Sequence, residues 1–252
     1  MLNPGEEDCQ VNSYTQANSQ LDSEKSTQYS FGAVWDVTPA VSMRADYWNV
    51  KIKDQITQIT SQALVDRDNG TDPRPIPPGL GVARNAVGVI TRIDSGFANE
   101  GTVQTDGIDI SVAGAYQWGN LGRFRSELRW SHVLSYDEGG FDFAGSIGQP
   151  DNRGMWVNTW NNGPFGAAWN INYTGRNEFQ PNSNDARSVG SYTTHDVQFT
   201  WQTPLKGSAL TVGFINLFDK LPQLVTYDGR EFNFNLYDAY GRTAYVRYTQ
   251  QF

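Results

Sequence analysis

The residues of this chain that could do chemistry are few and widely spread. The run DRDNGTD places Asp66, Asp68, Asn69 and Asp72 close together, and carboxylates at alternate positions are how calcium loops offer oxygen ligands. Glycine stands at the fifth place rather than the sixth, and no glutamate follows at the twelfth. The run therefore reads as a solvated turn, with calcium as the incomplete alternative. His132 and His195 are not spaced as metal ligands. Cys9 is the one cysteine, so no internal disulfide and no CxxC motif can form; a bond outside the chain and a free loop thiol both remain open. No GxSxG segment marks a nucleophile. Neither a catalytic residue nor a cofactor is expected, and the chain does not read as an enzyme.

Two further groups point to binding. Arg123, Arg125, Glu127 and Arg129 alternate along one segment and would share one face of a strand. That face reads as a contact surface for an anionic solute, or as a charge network completed by Asp109 and Asp196. Aromatic residues in otherwise polar connections form the second group: Phe141, Phe143, Phe179, Tyr227, Phe232, Phe234 and Tyr237. Aromatics on loops can stack on sugar rings or on the aromatic groups of a ligand, and they can equally pack loop against loop.

The background to these residues is polar and acidic. Of 252 residues 38% are hydrophobic and 18% charged, and the net charge is −8 with no basic run, which argues against a nucleic-acid partner. Mean hydropathy is −0.54. No window approaches the ~18–20 apolar residues of a spanning helix, yet a membrane β-barrel hides its apolar residues at every second position and tolerates such an average. The first twenty residues lack the basic start and apolar stretch of a secretion signal.

Period-two alternation picks out about nine strands. The first, about 26–37, carries Tyr29, Phe31, Ala33, Trp35 and Val37 on one face. In the second, 41–54, the apolar parity of Val41 to Tyr47 passes to Trp48, Val50 and Ile52, a slip that predicts a bulge. The others span about 102–118, 123–136, 153–160, 165–174, 189–202, 208–218 and 240–252; the segment from Arg153 to Trp160 gives no assignable parity. Short turns and long connections alternate strictly between them, four of each. Outer-membrane barrels have short periplasmic turns and long external loops, whereas a soluble sandwich has no reason to sort its connections. Trp35, Tyr116, Trp118, Phe124, Phe165, Trp201 and Phe252 stand beside the short turns or at the chain end, as an interfacial girdle would. The fold expected is an all-β, antiparallel up-and-down transmembrane barrel. An odd count that starts outside the cell implies further strands upstream, so residues 1–25 are expected to be an extracellular loop remnant and 26–252 the C-terminal part of the barrel. Such a piece, expressed alone, is expected to aggregate.

Four segments carry a family resemblance. Asn216-Leu217-Phe218-Asp219-Lys220 with Pro222 precedes Tyr240-Gly241-Arg242 and a last strand ending on Phe252; upstream stand LDSEKSTQYSFG at 21–32 and Thr105-Asp106-Gly107-Ile108-Asp109. In order and spacing the chain resembles the C-terminal part of the TonB-dependent outer-membrane receptors. The resemblance implies nine strands of a 22-stranded barrel without its plug domain, in the outer membrane of a Gram-negative bacterium. It implies uptake of a siderophore, cobalamin or oligosaccharide, energised by the TonB complex through an N-terminal part. It also makes the plug a partner for the Arg123–Arg129 face, and Tyr248 with Phe252 a signal for the barrel-assembly machinery. The alternatives are a passive porin or adhesin-like barrel and a soluble β-sandwich binding module.

Overall fold

A computed structural model gives the fold and describes residues 11–179, 187–226 and 231–251. Cys9, Tyr227 and Phe252 lie outside the described residues. Nine strands follow one another across a single sheet in chain order: β1 (Lys25–Thr38), β2 (Val41–Ile59), β3 (Ile90–Gln117), β4 (Arg123–Glu138), β5 (Asn152–Asn162), β6 (Phe165–Thr174), β7 (Tyr192–Gln202), β8 (Ser208–Ile215) and β9 (Thr243–Gln250). This is the up-and-down order that alternating short and long connections require. Gly163 (φ 55°) and Gly207 (φ 73°) supply the left-handed turns that β5–β6 and β7–β8 need to reverse within a few residues.

The chain divides into two compact units, residues 1–27 with 51–103 and residues 28–50 with 104–252. In the first, the long connection after β2 folds on itself. Helix α1 (Ser61–Asp68) is capped by Thr60, whose side chain accepts a hydrogen bond from the Ala63 amide. Leu64 on this helix is buried with Ile59, Ile93 and Ala98. Arg67 is buried as well, and its guanidinium donates to both Glu100 carboxylate oxygens at 2.6 and 2.7 Å and to the Pro75 carbonyl. Two charges taken from water are tolerable only with partners this complete. Ser13–Gln16 pairs in parallel with Ile93–Gly96, and Gly81–Arg84 pairs antiparallel with the start of β3. The third strand thus begins at Ile90, not at about Thr102, because its early part is paired inside this connection.

In the second unit, register fixes which residues share a face. Arg125, Thr159, Ala168, Gln198, Gly213 and Tyr245 lie in one row across β4 to β9, and Glu127, Val157, Asn170 and Asp196 in another across β4 to β7. The opposite face carries exposed apolar groups, with Trp35 and Tyr116 each 64% and Val246 70% exposed. Trp118, Phe124, Phe165 and Trp201 are exposed too, all beside the short turns, where an aromatic belt meets the membrane boundary. A soluble protein would bury this face; in lipid it needs no cover.

Aromatic side chains cover glycines at several places. Trp130 lies over Gly154, where an added Cβ would come within 2.7 Å of its ring, and stacks on Tyr173 at 5.1 Å. Tyr245 covers Gly213 and donates to Gln198 at 3.0 Å. A bulkier residue at either glycine would push the ring off its neighbouring strand.

Candidate functional site

The polar face of β1 to β8 in the larger unit surrounds a cavity of about 1120 Å³. Arg44, Asp46 and Trp48 line it from β2, Asp109 and Ser111 from β3, Glu127, Arg129 and Ser131 from β4, and Arg153 and Met155 from β5. Asn172 and Thr174 of β6 and Thr194 and Asp196 of β7 continue the wall. Trp48 shares the parity of Arg44 and Asp46. The apolar residue that hinted at a bulge is therefore an inward one, and the left-handed residue of this strand comes later, at Asp54 (φ 55°).

The wall is charged, with three arginines against five carboxylates, and nearly all of these groups have partners. Arg44 pairs with Asp46, its Nη2 donating at 3.0 Å, and Arg129 pairs with Glu127 at 2.5 Å. Ser131 donates to Asp109. Asp196 accepts from the Asn172 amide at 3.0 Å and from the Asn216 backbone at 2.8 Å. The expected network of the Arg123–Arg129 face with Asp109 and Asp196 does not form, because Arg129 finds its carboxylate two residues back on its own strand. Glu127 and Arg129 line the main cavity. Arg125 and Glu127 line a second one of about 720 Å³ beside Asp36 and Pro39. Arg123 is exposed at the start of β4 beside the short turn.

Above the wall, three long connections pack into one plate. Ile147, Val189, Tyr192 and Tyr237 form its buried centre, with Phe179, Val225, Phe232 and Leu236 against it. Asn177, fully buried, donates to the Tyr237 hydroxyl at 2.9 Å and to the Gly175 carbonyl at 3.0 Å. The Ile147 amide donates to the Glu178 carbonyl at 2.7 Å. Of the ligand-binding aromatics expected from sequence, Tyr237 is thus a core residue, only 6% exposed and edge-on to Tyr192 at 5.2 Å. Burial holds its phenol pKa above the ordinary value, the Asn177 hydrogen bond opposing in part. Phe179 and Phe232 pack against the same centre. Phe141 and Phe143 meet each other at 4.6 Å, and Phe234 is exposed beside Phe232. The structure gathers Phe179, Phe232 and Tyr237 at the plate's centre, and Phe143 lines a smaller pocket with Ile147 and Phe232.

The family model for the TonB-dependent receptor-like β-barrel matches residues 2–217. The chain belongs to the TonB-dependent receptor β-barrel family. That places it in the outer membrane of a Gram-negative bacterium. No curated protein sequence matches it significantly. Among solved structures, the siderophore receptor PirA from Acinetobacter baumannii is similar at a TM-score of 0.66 and 17% identity, over 94% of this chain and 33% of that one. The outer membrane transporter YddB from Escherichia coli has a TM-score of 0.66 at 12% identity, over 98% and 35%. Pyoverdine-bound FpvA from Pseudomonas aeruginosa PAO1 has a TM-score of 0.60 at 12% identity, over 95% and 31%. The chain spans about a third of the length of these structures.

In this receptor segment the motif residues have structural work. Thr105 donates to the Ser135 carbonyl at 3.0 Å, and Asp106 accepts from the Tyr47 hydroxyl at 3.0 Å. Gly107 leaves room for Trp48, and Asp109 holds Ser131. At the end of β8, Asn216 has φ 51° and is buried; its amide brackets Lys220, accepting from the backbone N at 2.9 Å and donating to the carbonyl at 2.8 Å. Asp219 (φ 56°) accepts from the Arg242 amide at 2.8 Å. The NLFDK turn thus ties the end of β8 both to β7, through Asp196, and to the start of β9.

The calcium candidates do not converge. Asp66 accepts from Gln62 on the same helix, Asp68 pairs with Arg84 at 2.7 Å, and Asp72 pairs with Arg74 and Arg67. Arg74 foremost holds the Asp72 carboxyl well below the usual carboxylate range. Among the described residues no group of three or more His, Cys, Asp or Glu could hold a metal ion. His132 Nδ1 lies 3.1 Å from Asn152, and His195 Nδ1 accepts from the Trp169 indole at 3.1 Å. Tyr248 is 57% exposed on the apolar face and donates to Gln250. Sequence reasoning missed Arg153, which sits on the strand whose two faces both carry apolar residues.

Proposed function

We propose that this receptor segment forms part of the wall through which a scarce solute, such as a ferric siderophore, cobalamin or oligosaccharide, is actively taken up across the outer membrane. The supporting observation is the cavity wall: a polar surface of arginines, carboxylates and hydrogen-bonding side chains beneath a single packed plate of external loops. Such a wall offers hydrogen bonds at every level to a passing solute. No bond is made or broken in this reading. The energy comes from the TonB complex, and the plug, the outer-membrane lipid and the barrel-assembly machinery are the remaining partners. PirA is named a siderophore receptor and the FpvA structure is bound to pyoverdine, so an iron chelate is the first solute to test.

The experiment is uptake of radiolabelled ferric siderophores by cells with and without the intact gene, before and after collapse of the proton-motive force. Gene-dependent uptake that stops with the uncoupler is the expected result. Gene-dependent uptake that persists would assign the chain to a passive barrel instead.

A further inference from the structure

Arg153 departs from the charge pattern of its surroundings. On three strands an arginine and a carboxylate two residues apart close into an ion pair: Arg44 with Asp46, Arg92 with Asp94, and Arg129 with Glu127. Asp151 and Arg153 have the same spacing and form no such pair. Among the described residues lining the main cavity, Arg153 is the one cation without a carboxylate partner, and its side chain is exposed. The carboxylates of that cavity are all engaged. Asp46 and Glu127 are ion-paired, Asp109 and Asp196 are hydrogen-bonded, and Asp238 accepts from the Tyr240 amide at 2.8 Å.

Register places Arg153 in the uppermost inner row, between Ser131 on β4 and Thr174 on β6, with Tyr192 of the loop plate next in line. A guanidinium presents several donors in a rigid fork that matches a planar oxyanion. With hydroxyl groups on both sides, and with the carboxylates of the cavity held by other partners rather than ion-paired to it, such a group is set to receive an anion from outside. Resting on the uptake reading above, we infer that Arg153 anchors an anionic oxygen group of the incoming solute at the top of the cavity, directly beneath the loops. It thereby selects anionic over neutral solutes.

The test uses the intact receptor purified from outer membranes, with citrate as a compact polyanionic probe and raffinose as a neutral one, at constant ionic strength. Trp48 and Trp130 line the cavity, so their fluorescence reports occupancy. Saturable quenching by citrate is expected, weakened about tenfold or more in Arg153→Gln and partly recovered in Arg153→Lys, the loss of one charge-assisted fork. Raffinose should give the same response in all three proteins. No saturable response to citrate in the unsubstituted receptor, or equal affinity in Arg153→Gln, overturns the assignment. So does a lowered unfolding temperature of Arg153→Gln with unchanged citrate affinity, which would mean that a carboxylate of the protein itself occupies the guanidinium. Energised uptake in cells is read separately, so the inference can fail while the transport reading stands.

Discussion

The Trp48 indole rests on the backbone at Gly107. A Cβ built at that glycine would lie 2.5 Å from Trp48 Cζ2 and 2.6 Å from the His132 carbonyl oxygen. The backbone oxygen cannot retreat, so Gly107→Ala is expected to destabilise by about 1–3 kcal/mol, as overpacking does. The temperature at which the intact receptor loses its heat-modifiable gel mobility measures this. If Gly107→Ala matches the unsubstituted protein, the close approach is wrong.

Asn216 is the pivot of the NLFDK turn. Asn216→Ala removes both hydrogen bonds to Lys220 and puts a less tolerant residue at positive φ. A loss of about 2–3 kcal/mol is expected from the two bonds and the left-handed backbone together. Asn216→Gly keeps the backbone freedom and should lose less. Reversal of that order would show that the left-handed backbone is not a source of the loss in Asn216→Ala.

Tyr237 separates packing from recognition. Tyr237→Phe leaves buried Asn177 short of a partner and should cost about 1–2 kcal/mol, whereas Tyr237→Ala opens the core of the plate and should cost about 3–5 kcal/mol. Limited trypsin digestion of the external loops is the readout, with faster cleavage in the order Ala, Phe, Tyr. Unchanged protection in Tyr237→Ala, combined with lost solute binding, would restore it as a ligand contact.

Acid should loosen the connection that contains α1. The Asp72 carboxyl is depressed in the folded state, so its contribution is present above the unfolded pKa near 4 and fades as the pH falls toward the folded value. Pepsin cleavage within residues 60–102 should rise below about pH 4, and Asp72→Asn should flatten that dependence. A cleavage profile identical in the two proteins would dismiss the linkage.

Val246 stands in the middle of β9 on the apolar face. Val246→Arg should cost about 2–4 kcal/mol in lipid, as charged groups do near the midplane of barrels. Insertion into lipid vesicles, followed by urea titration, measures it. An unchanged midpoint would mean that this face does not contact hydrocarbon.

How much of this was legible beforehand follows from range. Alternation and turn residues are local properties, so the strands, their order and the exposed aromatics beside the short turns could be read directly. Where both faces of a strand carry apolar groups, as from Arg153 to Trp160, alternation is silent. Only pairing with Glu127, Arg129 and Ser131 assigned Met155 and Arg153 to the inner face. Helix α1 is eight residues long and amphipathic only in context, so it passed for a turn.

The sequence by itself therefore determined the architecture and the membrane setting, because period-two patterning and loop length are written along the chain. The tertiary structure alone decided what the side chains do: that Tyr237 fastens loops, that Asp66, Asp68 and Asp72 serve other partners, and that Arg153 has none. Those outcomes depend on register and on contacts between residues far apart in sequence. A one-residue shift in strand pairing would have turned Arg153 to the opposite face of the sheet.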